Sequence, residues 1–343
     1  MSFSNTFDTT NPGSGVSNRE DLTDVLSILA PEETPVLSSL SKQRASSTFV
    51  EWTVDSLADP VTTGVAEGAD VSAFTDKFSG RARLGNYVQK FRRDYMVSDL
   101  QEAVDSVGPA KIAQAEAKAI REIKRDIEAT ICSTNDRSVE NGAGQAYGLR
   151  GLGKWIESSA DTGGAGASSD IPDAFKTPAA SIKNEGGTAI TEAGFNDIIT
   201  SIYRETGTTD QLMLVADTSL RQTISDFARL GPSNSASNQG VRSVNYDGNS
   251  AEIKLSVELY QSDHGLVSIV NMNPDTAPAT IAGGSNFSDG YIVNPEYYGV
   301  HELIPMGSTR LPNMGGGERG YVDCSLTLGV YHPAAHGKIT DNS

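Results

Sequence analysis

The 343-residue sequence predicts an α+β fold in which one long helix supports an extended hairpin and an inserted α/β segment. Three observations lead to this prediction. Apolar residues recur at steps of three and four between Pro109 and Ser133. Before them, two extended runs flank a long aperiodic stretch. After them, helical and strand patterns alternate between residues 145 and 293, which is typical of a mixed layer of helices and strands.

Residues 1–45 are predicted to form an N-terminal arm. Polar and small residues dominate up to Asn18. A short amphipathic helix ending near Pro31 follows, and its apolar residues are Leu22, Val25, Leu26 and Leu29. Such an arm packs either on its own domain or on a neighbouring subunit, and the pattern leaves both interpretations open.

Residues 46–97 are predicted to form an extended two-stranded hairpin. Apolar and polar residues alternate over residues 47–54, and a second extended run covers residues 81–97. The stretch between these runs contains glycines and a proline but no clear period. Loops of this length seldom belong inside a compact domain and usually project or carry function.

The two limbs of this hairpin carry opposite charges. The acidic residues are Glu51, Asp55, Asp59, Glu67, Asp70 and Asp76. The basic residues are Lys77, Arg81, Arg83, Lys90, Arg92 and Arg93. Opposed charges attract within one hairpin or set the register between two copies of the chain, so these twelve residues are the candidate inter-subunit contacts. A solvated, charged hairpin is the alternative interpretation.

Residues 98–144 contain the long helix. Ser98 and Gln101 have the spacing of a capping box that opens a first short helix, and Pro109 suits the first turn of a second one. From Pro109 to Ser133 this helix would be roughly 37 Å long. Its predicted buried face consists of Ile112, Ala115, Ala119, Ile123, Ile127 and Ile131.

Residues 145–293 are predicted to form the inserted α/β domain. A helix runs from Thr191 to Gly207, a buried strand covers residues 211–216, and Asp217 caps a second helix. Further strands are predicted at residues 252–260, 266–270 and 291–293. Residues 294–343 are predicted to contain two strands around the turn at residues 315–317, and these strands should return to the long helix.

Composition excludes several function classes. A net charge of −17 disfavours a general nucleic-acid binder, although it does not exclude a shell around DNA. Cys132 and Cys324 are too few for a disulfide framework, which indicates a reducing compartment, and no apolar run is long enough to span a membrane. His332 and His336 are four residues apart, but Pro333 between them argues against a metal site. Because no catalytic motif is visible, we expect no enzyme activity, cofactor or metal.

The amino-acid sequences of several segments resemble those of the Hong Kong 97-type major capsid proteins of tailed bacteriophages. These segments are EDLTDVLSILAPEETPVLSSL, STFVEWTVDSLADP, RLGNYVQKFRRDYMVSD and HPAAHGKI. The order of the predicted elements is similar as well. In that family the elements are called the N-arm (1–45 here), the E-loop hairpin (46–97), the P-domain with its spine helix (98–144), the A-domain (145–293) and the returning P-domain strands (294–343).

The resemblance implies a structural protein that acts as a homo-oligomer. Hexamers and pentamers would close into an icosahedral shell around packaged double-stranded DNA, without sequence-specific binding or contact with a membrane. Portal, scaffold and decoration proteins would be the further partners. Assembly would take place in the host cytoplasm, and the product would be the capsid of the virion.

Two alternatives remain open at this stage. The first is a shell protein of the same fold that serves a bacterial nanocompartment of the encapsulin type. The second, from a different class, is a soluble hydrolase or binding module with an acidic surface.

Overall fold

The chain forms a long helix packed on one sheet, with a second sheet and two helices beyond it. The computed structural model describes residues 34–71, 73–74, 76–78, 80–104, 111–159, 170–207, 211–227, 244–247, 250–253, 258–272 and 288–340. The α-helices of these residues are α1 (Pro35–Ser39), α2 (Asp99–Ala103), α3 (Lys111–Ile131), α4 (Leu152–Trp155), α5 (Glu192–Thr206) and α6 (Thr218–Phe227).

The strands are arranged in two larger sheets and two hairpins. They are β1 (Ser41–Arg44), β2 (Phe49–Val54), β3 (Ala82–Tyr87), β4 (Gln89–Val97), β5 (Ile182–Asn184), β6 (Leu212–Ala216), β7 (Val244–Asp247), β8 (Ser250–Ile253), β9 (Leu259–Ser262), β10 (Gly265–Asn271), β11 (Ser288–Val293), β12 (Tyr298–Leu311), β13 (Glu318–Val330) and β14 (Gly337–Thr340). The four-stranded sheet has the order β1-β12-β13-β4, and the six-stranded sheet has the order β5-β14-β11-β6-β10-β9. β2 pairs with β3, and β7 pairs with β8.

The long helix α3 packs on the inner face of the four-stranded sheet. Its buried side chains include Ile123, Ile127 and Ile131, and they share one core with Phe91 of β4 and Val322 of β13. Two ion pairs at its rim also join helix and sheet. Arg310 of β12 lies 3.7 Å from Glu116, and Arg93 of β4 lies 2.6 Å from Asp126. The helix is therefore held along much of its length.

The six-stranded sheet has two different faces. One face is covered by α5 and α6 and forms a second core around Phe195, Ile198 and Leu214. On the other face, Val215 and Tyr291 belong to the same core as α3. Both large sheets therefore share that core, which gives the two halves of the fold a common apolar interior.

Several predicted elements are confirmed. α2 begins where predicted, because the Ser98 hydroxyl accepts a hydrogen bond from the Gln101 N–H at 3.2 Å. α3 has the predicted buried face, although residues 105–110, with the predicted Gly108-Pro109 break, lie outside the described residues. α5 is capped by Thr191 and ends at Gly207, whose φ of 71° favours glycine. The strands β6, β10, β11, β12 and β13 are also found, and β13 packs on α3 as expected.

The prediction that residues 46–97 form one two-stranded hairpin is wrong in its second half. Only β3 pairs with β2, from Phe49 opposite Tyr87 to Val54 opposite Ala82. β4 leaves this hairpin and pairs along its whole length with β13 in the four-stranded sheet. The continuous extended pattern of residues 81–97 hid this change of partner, because both strands have the same local preference.

Two further predictions need correction. The predicted strand at residues 252–260 has its ends in different sheets, since β8 pairs with β7 and β9 pairs with β10, while residues 254–257 lie outside the described residues. Leu259, an apolar residue of this predicted strand, is exposed. The C-terminal strand β14 inserts between β5 and β11 of the six-stranded sheet, which the sequence did not indicate. None of the described helices is long and apolar enough to cross a membrane.

Candidate inter-subunit surface

A long exposed loop joins β2 to β3 and carries large apolar side chains. The described residues between 55 and 81 contain no helix or strand. The exposed fraction is 99% for Leu57 and 92% for Phe74. The other large apolar side chains exposed in this loop are Val61, Val65, Val71 and Phe78. Exposed apolar groups concentrated in one segment are typical of a surface that another molecule covers.

The sequence prediction named the charges of this loop and missed its apolar residues. Leu57, Val61 and Val65 recur every four residues in a segment without helical structure. The sequence signal for an interaction surface was the presence of these apolar residues in an aperiodic segment. We call the described residues of 55–81 the projecting loop.

The predicted acidic residues lie on the hairpin and the projecting loop. Asp55 is at the root, where its carboxylate accepts a hydrogen bond from Arg81 Nε at 2.7 Å, and this hydrogen bond lowers the pKa of Asp55. Asp76 accepts a hydrogen bond from the Phe78 N–H at 2.9 Å. The remaining ones are exposed, and they are Glu51, Asp59, Glu67 and Asp70.

The predicted basic residues are separated into two groups. Lys77, Arg81 and Arg83 belong to the projecting loop and β3, whereas Lys90, Arg92 and Arg93 belong to β4. Within the described part of the hairpin, Arg81 and Asp55 pair as members of the opposed limbs.

The basic residues of β4 have acidic partners in their own subunit. Lys90 Nζ lies 3.0 Å from the Asp323 carboxylate, and Arg92 lies 4.0 Å from the same group. Arg93 donates two hydrogen bonds to Asp126 of α3, at 2.6 and 2.7 Å, which raises the pKa of Arg93. These pairs fix strand to strand and strand to helix within one chain.

A buried polar cluster holds the root of the β2–β3 hairpin. The Asn86 side-chain amide donates hydrogen bonds to the carbonyls of Arg150 and Leu328, at 3.2 and 2.8 Å, and its oxygen accepts one from the Arg150 N–H at 2.8 Å. The fully buried Arg150 guanidinium binds Asp136 at 2.7 Å and Asp170 at 2.9 Å. Hydrogen bonds to Arg150 and its charge lower the pKa of Asp170 against the opposing effect of burial. The hairpin therefore leaves the body at a fixed angle.

A buried carboxylate fixes α1 on α3. The Glu128 carboxylate accepts hydrogen bonds from the Val36 N–H at 3.0 Å and the Leu37 N–H at 2.7 Å. These are first-turn N–H groups of α1, which Thr34 leaves without a side-chain cap. Burial raises the pKa of Glu128, and the two N–H groups oppose that shift. The sequence prediction missed this residue because only apolar residues defined the predicted buried face of the helix.

Other titratable groups of the interior are shielded from solvent. Burial raises the pKa of the Cys132 thiol, and it raises the pKa of Cys324 to about 12. Burial lowers the pKa of His336 to about 3, and its Nδ1 accepts a hydrogen bond from the Asn294 N–H at 3.2 Å. Within the described ranges, no three His, Cys, Asp or Glu residues are grouped so that they could hold a metal ion. Among the described residues, features of an interaction site accumulate on the projecting loop.

The comparisons with known proteins identify the family to which this chain belongs. The family model for the SU10 major capsid protein matches residues 2–343. The chain belongs to the SU10 major capsid protein family. Membership of this family indicates a structural role in the capsid of a bacteriophage. No curated protein matches the sequence.

Solved capsid structures share the fold of this SU10-type capsid protein. It is similar to the capsid protein of the cyanophage P-SCSP1u, with 13% identity, a TM-score of 0.57 and coverage of 98% of this chain and 96% of that chain. It is also similar to the capsid of a native GTA particle, with 11% identity, a TM-score of 0.61 and coverage of 98% and 99%. The encapsulin SrpI of Synechococcus elongatus shares the fold at 10% identity and a TM-score of 0.52, over 96% of this chain and 94% of that chain.

Proposed function

We propose that many copies of this chain tile as pentamers and hexamers into an icosahedral shell that encloses phage double-stranded DNA. The observation that carries the proposal is the projecting loop, which one subunit leaves exposed together with its apolar side chains. Covering a Leu or Phe side chain contributes about 1.5–3 kcal/mol. Several such residues on one segment supply a contact that a single copy cannot satisfy.

The outer face of the four-stranded sheet is the proposed receiving surface on the neighbouring copy. Met96, Arg319 and Leu311 lie side by side across β4, β13 and β12. Arg92 lies on the same face, four residues before Met96. This face combines exposed apolar groups with the basic Arg92 and Arg319, beside the acidic Asp94 and Asp323, so we propose that it receives chiefly the apolar residues of the projecting loop.

Fewer charged residues are proposed to pair between copies than the sequence suggested. Asp55 and Arg81 pair with each other, and Arg93 pairs with Asp126, so these residues serve their own subunit. We propose that Asp59, Glu67 and Asp70 provide the contacts to basic residues of a neighbour. Glu51, Lys77 and Arg83 are exposed on the same hairpin and are proposed as contacts at its edges.

The parts of the fold take the roles of the Hong Kong 97-type architecture in this proposal. β2, β3 and the projecting loop act as the E-loop, and α3 with the four-stranded sheet acts as the P-domain. The six-stranded sheet with α5 and α6 acts as the A-domain, and β14 returns to it. Residues 1–45 act as the N-arm, which α1 ties to the spine helix α3.

The wider setting follows from the capsid role. The net charge of −17 fits a shell that encloses DNA without binding its sequence. Portal, scaffold and decoration proteins are the proposed further partners, and assembly is proposed to occur in the host cytoplasm. An encapsulin-like compartment is the second candidate function, favoured only by the fold-level similarity to SrpI.

Removal of the exposed apolar groups tests the proposal. The double variant Leu57→Ser and Phe74→Ser should abolish particles in negative-stain electron microscopy, because the contact loses its two most exposed apolar side chains. Its melting temperature as a free subunit should stay unchanged, since neither side chain packs in the core. The matched control is Ala58→Ser with Ala73→Ser, which should assemble normally. Normal particles from the first variant would contradict the proposal, and nuclease-resistant DNA within wild-type particles would separate a phage shell from a compartment.

A further inference from the structure

The projecting loop contains a strand-forming run that has no partner strand in its own subunit. Residues 61–67 read VTTGVAE, all of them are exposed, and four of the seven are the β-branched Val and Thr that favour strands. Gly64 lies outside the left-handed region, so the backbone can be extended there. Within the described part of the chain, no backbone group of residues 61–65 forms a hydrogen bond. The run therefore has the composition of a strand but lacks a neighbour.

The strand β4 offers an open edge of matching length. It pairs with β13 on one side and ends the four-stranded sheet on the other. The backbone N–H and C=O groups on such an edge can pair with an extended segment of another molecule. A seven-residue strand is about 23 Å long. Among the described edge strands of the two larger sheets, β4 has nine residues, whereas β1, β5 and β9 have four, three and four. Of these edges, β4 can pair with the whole run.

We propose that residues 61–67 of one copy add to the free edge of β4 in a neighbouring copy, as a fifth strand of its four-stranded sheet. This inference rests on the proposed function, because it gives a backbone geometry to the contact between the projecting loop and that sheet. Alternate side chains of a strand share a face, so Val61, Thr63 and Val65 lie together. We place them on the outer face beside Met96, whose exposed fraction is 65%.

The charges favour this pairing over pairing between two identical edges. On the outer face of β4, the side chains of Lys90 and Arg92 are 49% and 55% exposed, although both lie near an acidic residue of β13, and Asp94 follows them. The run is bounded by Asp59 and Glu67 and contains no basic residue. Like charges on paired strands are destabilising, so two β4 edges or two such runs would repel each other. The run of one copy and the β4 edge of another avoid that repulsion.

Proline substitution at two consecutive positions tests the strand pairing. Proline has no backbone N–H, so an edge strand tolerates it only where the N–H faces away from the sheet. Consecutive residues of the run differ in this respect, so Thr62→Pro and Thr63→Pro are matched controls for each other. One of them should raise the protein concentration needed for particle assembly by about tenfold or more, and the other should assemble like the wild type. Light scattering and negative-stain electron microscopy measure this difference.

The outcome separates the strand pairing from the proposed shell. Both threonines are exposed in the subunit, so neither variant should change its melting temperature. Equal effects of the two prolines on assembly, whether both are harmless or both disruptive, would overturn the strand pairing. The proposed shell would still stand in that case, because it requires only that the wild type forms particles. Absence of particles from the wild type would overturn both proposals.

Disulfide trapping in assembled particles tests the assignment to β4. Thr63→Cys should link neighbouring subunits on mild oxidation when it is combined with one of three successive outer-face changes, Lys90→Cys, Arg92→Cys or Asp94→Cys. The control combines Thr63→Cys with Gln43→Cys on β1, at the opposite edge of the sheet, and should give only monomers on a denaturing gel. The two native cysteines are buried and should not compete. Failure of all three β4 pairs to link subunits would overturn the assignment, and so would linkage in the control.

Discussion

The hydrogen bonds of Glu128 lead to a quantitative prediction about the start of the ordered chain. Replacing Glu128 with Gln keeps the shape of the side chain but leaves only one oxygen as an acceptor. One of the two N–H groups, of Val36 or Leu37, must then face the amide NH2 group. The perturbation is therefore confined to the cap of α1 and to the charge of one buried group.

The size of the effect is set by two opposing contributions. A buried N–H that loses its acceptor costs about 1–3 kcal/mol. Gln is neutral, so it avoids the desolvation of the carboxylate that raises the pKa of Glu128. We expect the net loss in the free energy of local opening to be about 1–2 kcal/mol, which corresponds to a factor of about 5–30 in an equilibrium.

Hydrogen–deuterium exchange of residues 34–40 measures this opening directly. In Glu128→Gln these amides should exchange faster than in the wild type by the factor given above, while the α5 amides should not change. Glu122→Gln is the matched control, since Glu122 pairs with Lys118 at the surface and contributes less than about 1 kcal/mol. Exchange of residues 34–40 at the wild-type rate in Glu128→Gln would refute the role of this carboxylate.

Three further changes test the core, the sheet and the buried histidine. Ile123→Asp should prevent stable folding, seen as loss of cooperative urea unfolding, because an unpaired charge in the core costs several kcal/mol. Arg93→Glu should lower the free energy of unfolding of the free subunit, measured by urea denaturation, by about 1 kcal/mol or less, because its pair with Asp126 is half exposed, and Arg93→Glu with Asp126→Arg should recover it. Burial lowers the pKa of His336 from about 6.5 to about 3, so neutral His336 stabilises the fold fully above about pH 6.5 and this contribution falls as the pH drops towards 3. His336→Asn should therefore show a smaller loss of stability between pH 6.5 and 3, and an unchanged pH profile would contradict this.

The Arg93 prediction shows how the structure altered an expectation about the candidate site. From the sequence, Arg92 and Arg93 were both candidate inter-subunit contacts. The ion pair between Arg93 and Asp126 makes Arg93 part of the subunit itself. No local pattern could indicate this, because the two residues are 33 positions apart and meet only when β4 packs on α3.

The sequence by itself determined the elements whose signals are local. The apolar period of α3, the cap and the final glycine of α5 and the apolar run of β6 each lie within one short window, and the physical preferences within that window decide the conformation. The charges of the projecting loop were visible in the same way. The resemblance to phage capsid proteins depended on the order of these local signals and on the amino-acid sequences of a few segments.

Only the tertiary structure decided which strand pairs with which and which polar groups become buried. β4 could have continued the hairpin of β2 and β3, but it pairs with β13, more than 200 residues later. β14 joins the six-stranded sheet, and Glu128 is buried because α1 covers it. These outcomes depend on packing and backbone hydrogen bonds between distant segments, whose free energies no single stretch of sequence contains.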